Sequence, residues 1–162
     1  MIVYNCKFTG NLVFTDAVPH KLENNIAYTV DGMYEEASDW EEIGDKKIVN
    51  SLVRSFHLED PVAIRSIEEF KQIWKKYVKN LINLVSQENP GRIGAIQPMI
   101  KAYSNSLLEN FDRKRLFVTE SDGHKVNGTI IIMTQLVPFG KEKPNDLCKM
   151  TVLADSLVKE EL

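Results

Sequence analysis

Residues 66–110, SIEEFKQIWKKYVKNLINLVSQENPGRIGAIQPMIKAYSNSLLEN, constrain this chain more than any other stretch. Apolar residues recur at Ile67, Phe70, Trp74, Tyr77, Val78, Leu81 and Val85, the spacing of one helical face. Ser66 with Glu69 fits a capping box, in which two side chains satisfy each other's orphan backbone donors. Lys71, Lys75 and Lys79 fall on the other side, with Lys76 and Asn83 nearby, so the helix has an apolar stripe and a basic edge. The breaker Asn89-Pro90-Gly91 ends it. A second arm carries Ile93, Ile96, Ile100, Tyr103, Leu107, Leu108 and Phe111. Pro98 interrupts that arm. Proline removes a helical donor and clashes one turn back, which predicts either a kink or a helix start there. Two antiparallel helices with facing apolar stripes make a helical hairpin.

The rest of the composition sets bounds. A chain of 162 residues with 43% hydrophobic and 27% charged residues fits one globular domain with a sizeable core. A net charge of -3 argues against a nucleic-acid binder that relies on bulk positive charge. Cys6 and Cys148 lie far apart without metal-ligand spacing, and read as free buried thiols in a reducing compartment. The opening MIVYNCKFTGNLVF lacks the basic and apolar regions of a signal peptide, and no run of about 18 apolar residues could span a bilayer. The expected location is cytoplasmic, with no membrane and no specific nucleic acid as partner.

The flanks read as β structure. Residues 1–4 form a short strand, and residues 7–16 a hairpin or two strands turning at Thr9-Gly10-Asn11. Residues 26–30 form a strand with Asp31-Gly32 as a hairpin turn. Residues 35–47 are acidic and poor in aliphatics, which predicts a mobile loop without the ordered ligand spacing of a dedicated calcium site. Residues 48–58 alternate as a strand, although helix spacing also fits their first turn. His57 has no second ligand nearby and reads as structural or surface. Residues 129–137, TIIIMTQLV, are the most β-prone run and predict a central strand, preceded by a hairpin at Asp122-Gly123 or Asn127-Gly128. Residues 148–153 alternate as a final strand.

Several of these stretches resemble the translationally controlled tumour protein family. Its helical arm carries Tyr-x-x-Tyr-Ile-Lys-x-Tyr-Met-Lys, a Pro-x-Arg-Val turn and an Asn-Phe end. The matching residues are Phe70, Ile73, Trp74, Lys75, Tyr77, Val78 and Lys79, then Pro90, Arg92 and Ile93, then Asn110 and Phe111. The family's Met-Ile-Ile-Tyr opening is matched by Met1 to Tyr4, and its acidic-Met-Phe-Ser-Asp segment by Leu12 to Asp16. Its second signature is matched from Phe111 through Leu116, Phe117, Val118, Thr119 and Glu120 to Ile132, with Thr119 in place of the family's glycine. Asp155, Ser156 and Leu157 stand where the family has Asp-Gly-Leu, and the family's terminal cysteine is absent.

The resemblance implies an α+β fold: a small, tent-like antiparallel β core with a projecting two-helix hairpin and a short acidic flexible loop. On that division residues 1–65 and 112–162 form the β core, residues 66–111 the hairpin and residues 35–47 the loop, all in one domain. Core closure requires residues 1–4 and 148–153 to join one β system. The resemblance also implies a non-enzymatic interaction protein in growth and stress regulation. Its protein partners would be tubulin or microtubules, a small GTPase or a translation elongation factor, with weak calcium binding and no other cofactor. The candidate partner-binding residues are Lys71, Lys75, Lys76 and Lys79, together with Glu120 and Asp16. Glu120 fits either a partner contact or the bonding of a turn amide. Leu12 cannot supply the family's acidic charge at that position, which weighs against the alternative of a GTPase accessory factor. No phosphate loop, GxSxG elbow, HExxH or paired CxxC is present, so neither catalysis nor zinc is expected. A rival reading is a small enzyme or ligand-binding domain using a cleft between hairpin and sheet.

Overall fold

The chain orders its elements as β1 (Ile2–Cys6), β2 (Leu12–Thr15), β3 (His20–Glu23), β4 (Ala27–Ser38), β5 (Lys46–Asn50), α1 (Ser51–Ser55), α2 (Ile67–Glu88), α3 (Ile93–Ser106), β6 (Lys114–Asp122), β7 (Lys125–Gln135), β8 (Leu147–Leu153) and β9 (Leu157–Glu161). These come from a computed structural model that describes residues 1–38, 46–58, 61–122 and 125–162. The strands pair antiparallel in two sheets. The smaller has the order β2-β1-β9, the larger β3-β4-β8-β7-β6, with β5 on the far half of β4. With the long helix pair this is the expected α+β architecture.

β7 shows why the layers hold. Ile131 and Met133 face a core between the two sheets, shared with Tyr4, Val13, Phe14, Val30 and Met150. Ile130 and Ile132 face the other way, into a core that the larger sheet shares with the hairpin. A strand buried on both faces needs apolar residues at every position, so its sequence is continuous rather than alternating. Tyr4 and Phe14 stack at 4.2 Å between ring centroids in the first core. In the second, α2 contributes Phe70, Trp74, Tyr77, Leu81 and Val85, and α3 contributes Ile96 and Ile100. Trp74 Nε1 donates to Ser104 Oγ at 2.7 Å, tying the two helices through a polar contact as well.

The helix ends follow local chemistry. Ser66 Oγ accepts from Glu69 N at 3.2 Å, as a capping box requires. The return bond lands one residue early: Glu69 Oε2 accepts from Arg65 N at 3.1 Å. Pro90–Arg92 forms a single 3₁₀ turn, and α3 follows directly. Pro98 lies inside α3, so the helix does not begin there. Pro98 and Gly94, whose carbonyl it cannot satisfy, are both exposed, where water can serve that carbonyl. Ile67, assigned to the apolar stripe, is 43% exposed because it lies at the first turn, ahead of the buried rows.

Other expectations need correction. Asp31-Gly32 is not a turn; β4 runs straight through it, pairing Asp31 with Lys149 and Gly32 with Cys148. The glycine serves a close approach instead, since a Cβ on Gly32 would come within 2.9 Å of Leu52 Cδ1. The acidic loop of residues 35–47 is shorter than read: Glu35–Ala37 continue β4, and Lys47 pairs with Ala37 in β5. Residues 39–45, with most of the acid cluster, lie outside the described residues. Residues 48–58 are not one strand. Asn50 Oδ1 accepts from Leu52 N at 2.9 Å and Val53 N at 3.3 Å, and this cap starts α1. α1 ends with His57 at φ +51° and Leu58 N bonded to Val53 O at 3.0 Å, a left-handed C-terminal cap where glycine is usual. Asn127-Gly128 lies within β7, so the β6–β7 connection falls at residues 123–124, outside the described residues.

The closing strands also differ. β1 does not share a sheet with β8; it pairs with β9, Ile2 opposite Glu161 and Cys6 opposite Leu157. A 3₁₀ turn at Ala154–Ser156 splits the C-terminal β segment and carries the chain from the larger sheet to the smaller. Both cysteines are free and buried.

The β6–β7 ladder shifts register between Val118 and Glu120, and Thr119 Oγ1 there accepts from Thr129 N at 2.9 Å. Gly128 makes the room, with φ +89°, and a Cβ on it would overlap Thr119 Oγ1 and lie 2.9 Å from Thr9 Cγ2. Gly128→Ala therefore combines a clash with a backbone conformation that L residues avoid. Urea unfolding is expected to show a loss of about 2 kcal/mol or more.

Candidate protein-interaction surface

The basic edge of α2 is where periodicity places it. Lys71, Lys75, Lys76 and Lys79 are all exposed, opposite the buried row of Phe70, Trp74, Tyr77 and Leu81. Lys71 approaches Glu68 Oε1 at 4.0 Å, one turn away at the helix start. Lys75, Lys76 and Lys79 have no ion pair among the described residues. Residues 70–87 contain no Asp or Glu, so nothing along this face neutralises them. From Lys71 to Lys79 the row extends about 12 Å at 1.5 Å per residue.

Asp16 and Glu120 do not join this patch in the same way. Asp16 Oδ1 accepts from Ile2 N at 3.1 Å, and Asp16 N donates to Ile2 O at 3.0 Å, so this residue staples the N-terminal strand. Glu120 lies in β6 opposite Asn127, just past the register shift. Leu12 is 40% exposed on β2, a surface position without charge.

Sequence reasoning did not single out the contacts that hold the basic helix in place. Arg92, in the turn after α2, grips Asp155 with two bonds, Nε to Oδ1 at 2.7 Å and Nη2 to Oδ2 at 3.0 Å. Its Nη2 also reaches Asn25 O at 3.0 Å. The Asp155 carboxylate raises the already high Arg92 pKa further. Lys7 Nζ meets Glu88 Oε2 at 2.7 Å beside it. The signal was present in the sequence as two separate motifs, Pro-x-Arg at Pro90 to Arg92 and Asp155-Ser156-Leu157 near the C-terminus. Nothing in one dimension links them.

Beneath the hairpin lies a small polar hub. Thr129 Oγ1 donates toward Cys6 Sγ at 3.0 Å, and Ser156 Oγ donates to Leu153 O at 2.9 Å. Burial raises the Cys6 thiol, but the hydroxyls of Thr119, Thr129 and Thr9 outweigh it and hold the pKa below the ordinary value. Cys148, in apolar surroundings, is pushed up to about 11 by burial. Tyr77 reaches down from α2 to this hub, and burial drives its hydroxyl far above the usual range. Cys6 is only 1% exposed, so the hub is closed to a substrate.

One cleft between hairpin and sheet, lined by described residues, is small. Ile64, Phe70, Phe111, Leu116 and Ile132, with Lys114 and Arg115, enclose about 10 Å³, room for one water. Ligand pockets are typically about 300–1,000 Å³. Among the described residues no three His, Cys, Asp or Glu side chains are grouped to hold a metal, and no helix is long and apolar enough to cross a membrane.

This geometry, a two-sheet core with a clamped helix pair, has close counterparts. The family model for translationally controlled tumour protein matches residues 1–135. The chain belongs to the translationally controlled tumour protein family. Among solved structures, it resembles the translationally controlled tumor-associated protein p23fyp of Schizosaccharomyces pombe with a TM-score of 0.78 and 20% identity, over 100% of both chains. It resembles the translationally controlled tumor protein of Caenorhabditis elegans with a TM-score of 0.71 and 20% identity, over 100% of this chain and 99% of that one. At such identity these likenesses establish the fold. Membership of the tumour-protein family supports a non-enzymatic role carried out through protein partners.

The Arg92 clamp gives a direct test. Arg92→Lys keeps the charge but not the two-point grip, because an ammonium cannot match a carboxylate bidentately. It is expected to cost about 1 kcal/mol, and Asp155→Ala about 1–3 kcal/mol, by urea unfolding. Hydrogen exchange should speed up first at the α2–α3 turn. An unchanged exchange pattern there would remove the clamp from the account.

Proposed function

We propose that this member of the translationally controlled tumour protein family is a non-enzymatic cytoplasmic adaptor that docks acidic protein segments on the outer face of α2. The supporting observation is the row of Lys71, Lys75, Lys76 and Lys79, exposed on a helix whose turn is clamped to the sheets, with no acid in residues 70–87. Lys75, Lys76 and Lys79 present a positive potential without breaking any ion pair among the described residues, and Lys71 gives up only its 4.0 Å approach to Glu68. The rigid placement of this face lowers the ordering cost of binding. The acidic C-terminal tails of tubulin have the right charge and are the partner this reading favours. Charge-driven docking also raises association rates more than it deepens affinity.

The test is co-sedimentation with microtubules. Binding is expected at low salt and should fall steeply as ionic strength passes about 0.1 M, where the screening length is near 10 Å. The triple variant Lys71→Glu, Lys75→Glu, Lys79→Glu should lose binding while melting near the wild-type temperature, because all three side chains are exposed. Salt-independent binding, or full binding by the triple variant, would refute the reading.

A further inference from the structure

The lysines of the hairpin do not all look the same way. Phe70 meets Phe111 at 5.0 Å between ring centroids, and one turn further in Trp74 Nε1 donates to Ser104 Oγ at 2.7 Å, so α2 and α3 run antiparallel with these flanks together. Each helical residue turns the direction by about 100°, so residues seven apart point within about 20° of one another. Lys71 therefore shares a direction with Val78, and Lys75 with Ile82, on the Trp74 flank of α2. Lys101 shares a direction with Leu108, on the Ser104 flank of α3. Val78, Ile82 and Leu108 are half-buried against the hairpin core. They floor a seam between the helices, with Lys71, Lys75 and Lys79 along one wall and Lys101 on the other, all four exposed. Lys76, two residues past Trp74, points about 200° away from it and leaves the seam.

Charge along the seam has one sign. Residues 70–87 and 89–108 contain no Asp or Glu, and Glu88 between them is held by Lys7 at 2.7 Å. Lys75, Lys79 and Lys101 have no ion pair among the described residues, and Lys71 has only its 4.0 Å approach to Glu68. Glu68 and Glu109, at the open end of the hairpin, bound the basic stretch.

We propose that this seam, rather than the face of α2 alone, is the docking site, and that its occupant is an acidic segment in extended conformation whose alternate side chains meet the two walls. The inference rests on α2 being an acidic docking face and narrows that reading. Lys71, Lys75 and Lys79 follow one another at about 6 Å along the helix, and every second residue of an extended chain advances about 6.6 Å. Acids at the first, third and fifth positions of such a chain meet the three lysines in turn. Lys101 lies three residues before Ser104, as Tyr77 lies three after Trp74, so it stands level with the gap between Lys75 and Lys79. The side chain between the third and fifth positions points to the opposite wall, where Lys101 stands. A helical occupant would need apolar groups to bury, and among the described residues no large apolar side chain from 68 to 119 is exposed.

The test is fluorescence anisotropy of the full chain at low salt with labelled peptides flanked by glycine and serine. The first carries Glu-Glu-Glu-Glu-Glu. The second, Glu-Lys-Glu-Lys-Glu, reverses the charge that faces Lys101 whichever way the peptide runs. The third, Lys-Glu-Glu-Glu-Lys, has the second's composition in another order. Wild type should bind the first most tightly. Lys101→Glu should weaken that binding roughly fivefold, as an exposed ion pair becomes a repulsion, and Lys76→Glu less than about twofold. Lys101→Glu should also bind the second peptide more tightly than the third. Both lysines are exposed, so both variants should melt near the wild-type temperature. Loss of the first peptide in the α2 triple variant but not in Lys101→Glu would overturn the seam and leave the α2 reading standing. An effect of Lys76→Glu as large as that of Lys101→Glu, or equal binding of the second and third peptides by Lys101→Glu, would overturn the seam as well. If no peptide binds, the seam falls and microtubule co-sedimentation decides the α2 reading by itself. Peptide binding that neither the triple variant nor Lys101→Glu weakens would remove both.

Discussion

The molecule turns on three residues, Ala154 to Ser156, and on what each of them holds. Ala154 N donates to Ile26 O at 2.9 Å, fixing the turn that precedes β4. Asp155 takes both prongs of Arg92 and so holds the end of α2 and the start of α3. Ser156 O accepts from Lys7 N at 2.8 Å, and Thr129 Oγ1 lies 3.3 Å from Ser156 Oγ, which brings in β1 and β7. The same turn hands the chain from the larger sheet to the smaller. Ser156 is fully buried, where each polar group needs a partner and an unpaired one costs about 1–3 kcal/mol. Hydrophobic burial supplies the driving force, but these directed bonds decide which layer sits where.

That arrangement shapes the proposed surface on α2. A helix pair held only by its apolar stripe could shift along the sheet, since apolar contact has no direction. The Arg92 grip and the Lys7–Glu88 pair fix its register, leaving the lysine row facing outward. The same fixed position determines how much of the sheet remains bare. Met33 and Leu147, partners across β4 and β8, are exposed at the opposite end of those strands from buried Ala27 and Leu153.

Much of the hairpin was legible in the sequence, since helical periodicity and capping are local. The apolar positions from Phe70 to Val85, the stop at Asn89-Pro90-Gly91 and the exposed lysines follow from residues a few places apart. The misreadings share a different cause. Asp31-Gly32 has turn chemistry, but Gly32 is needed beneath Leu52, which lies twenty residues on in sequence. Residues 35–37 look like loop by composition, yet pairing with β5 makes them strand. Residues 48–58 mix two periods, and the Asn50 cap decided between them. Thr119, in place of the family's glycine, looks like a defect until its hydroxyl is seen bonded to Thr129 N over the space left by Gly128.

By itself, the sequence determined the helical arm, its basic edge, the doubly buried β7 and the family, because these depend on patterns read within one segment or across a conserved spacing of segments. Tertiary structure alone decided that β1 closes on β9 rather than β8, that Arg92 meets Asp155, and that Met33 pairs with Leu147. Each of those joins residues remote in the chain, and a linear pattern records which groups seek a partner without recording which partner the folded backbone brings within reach.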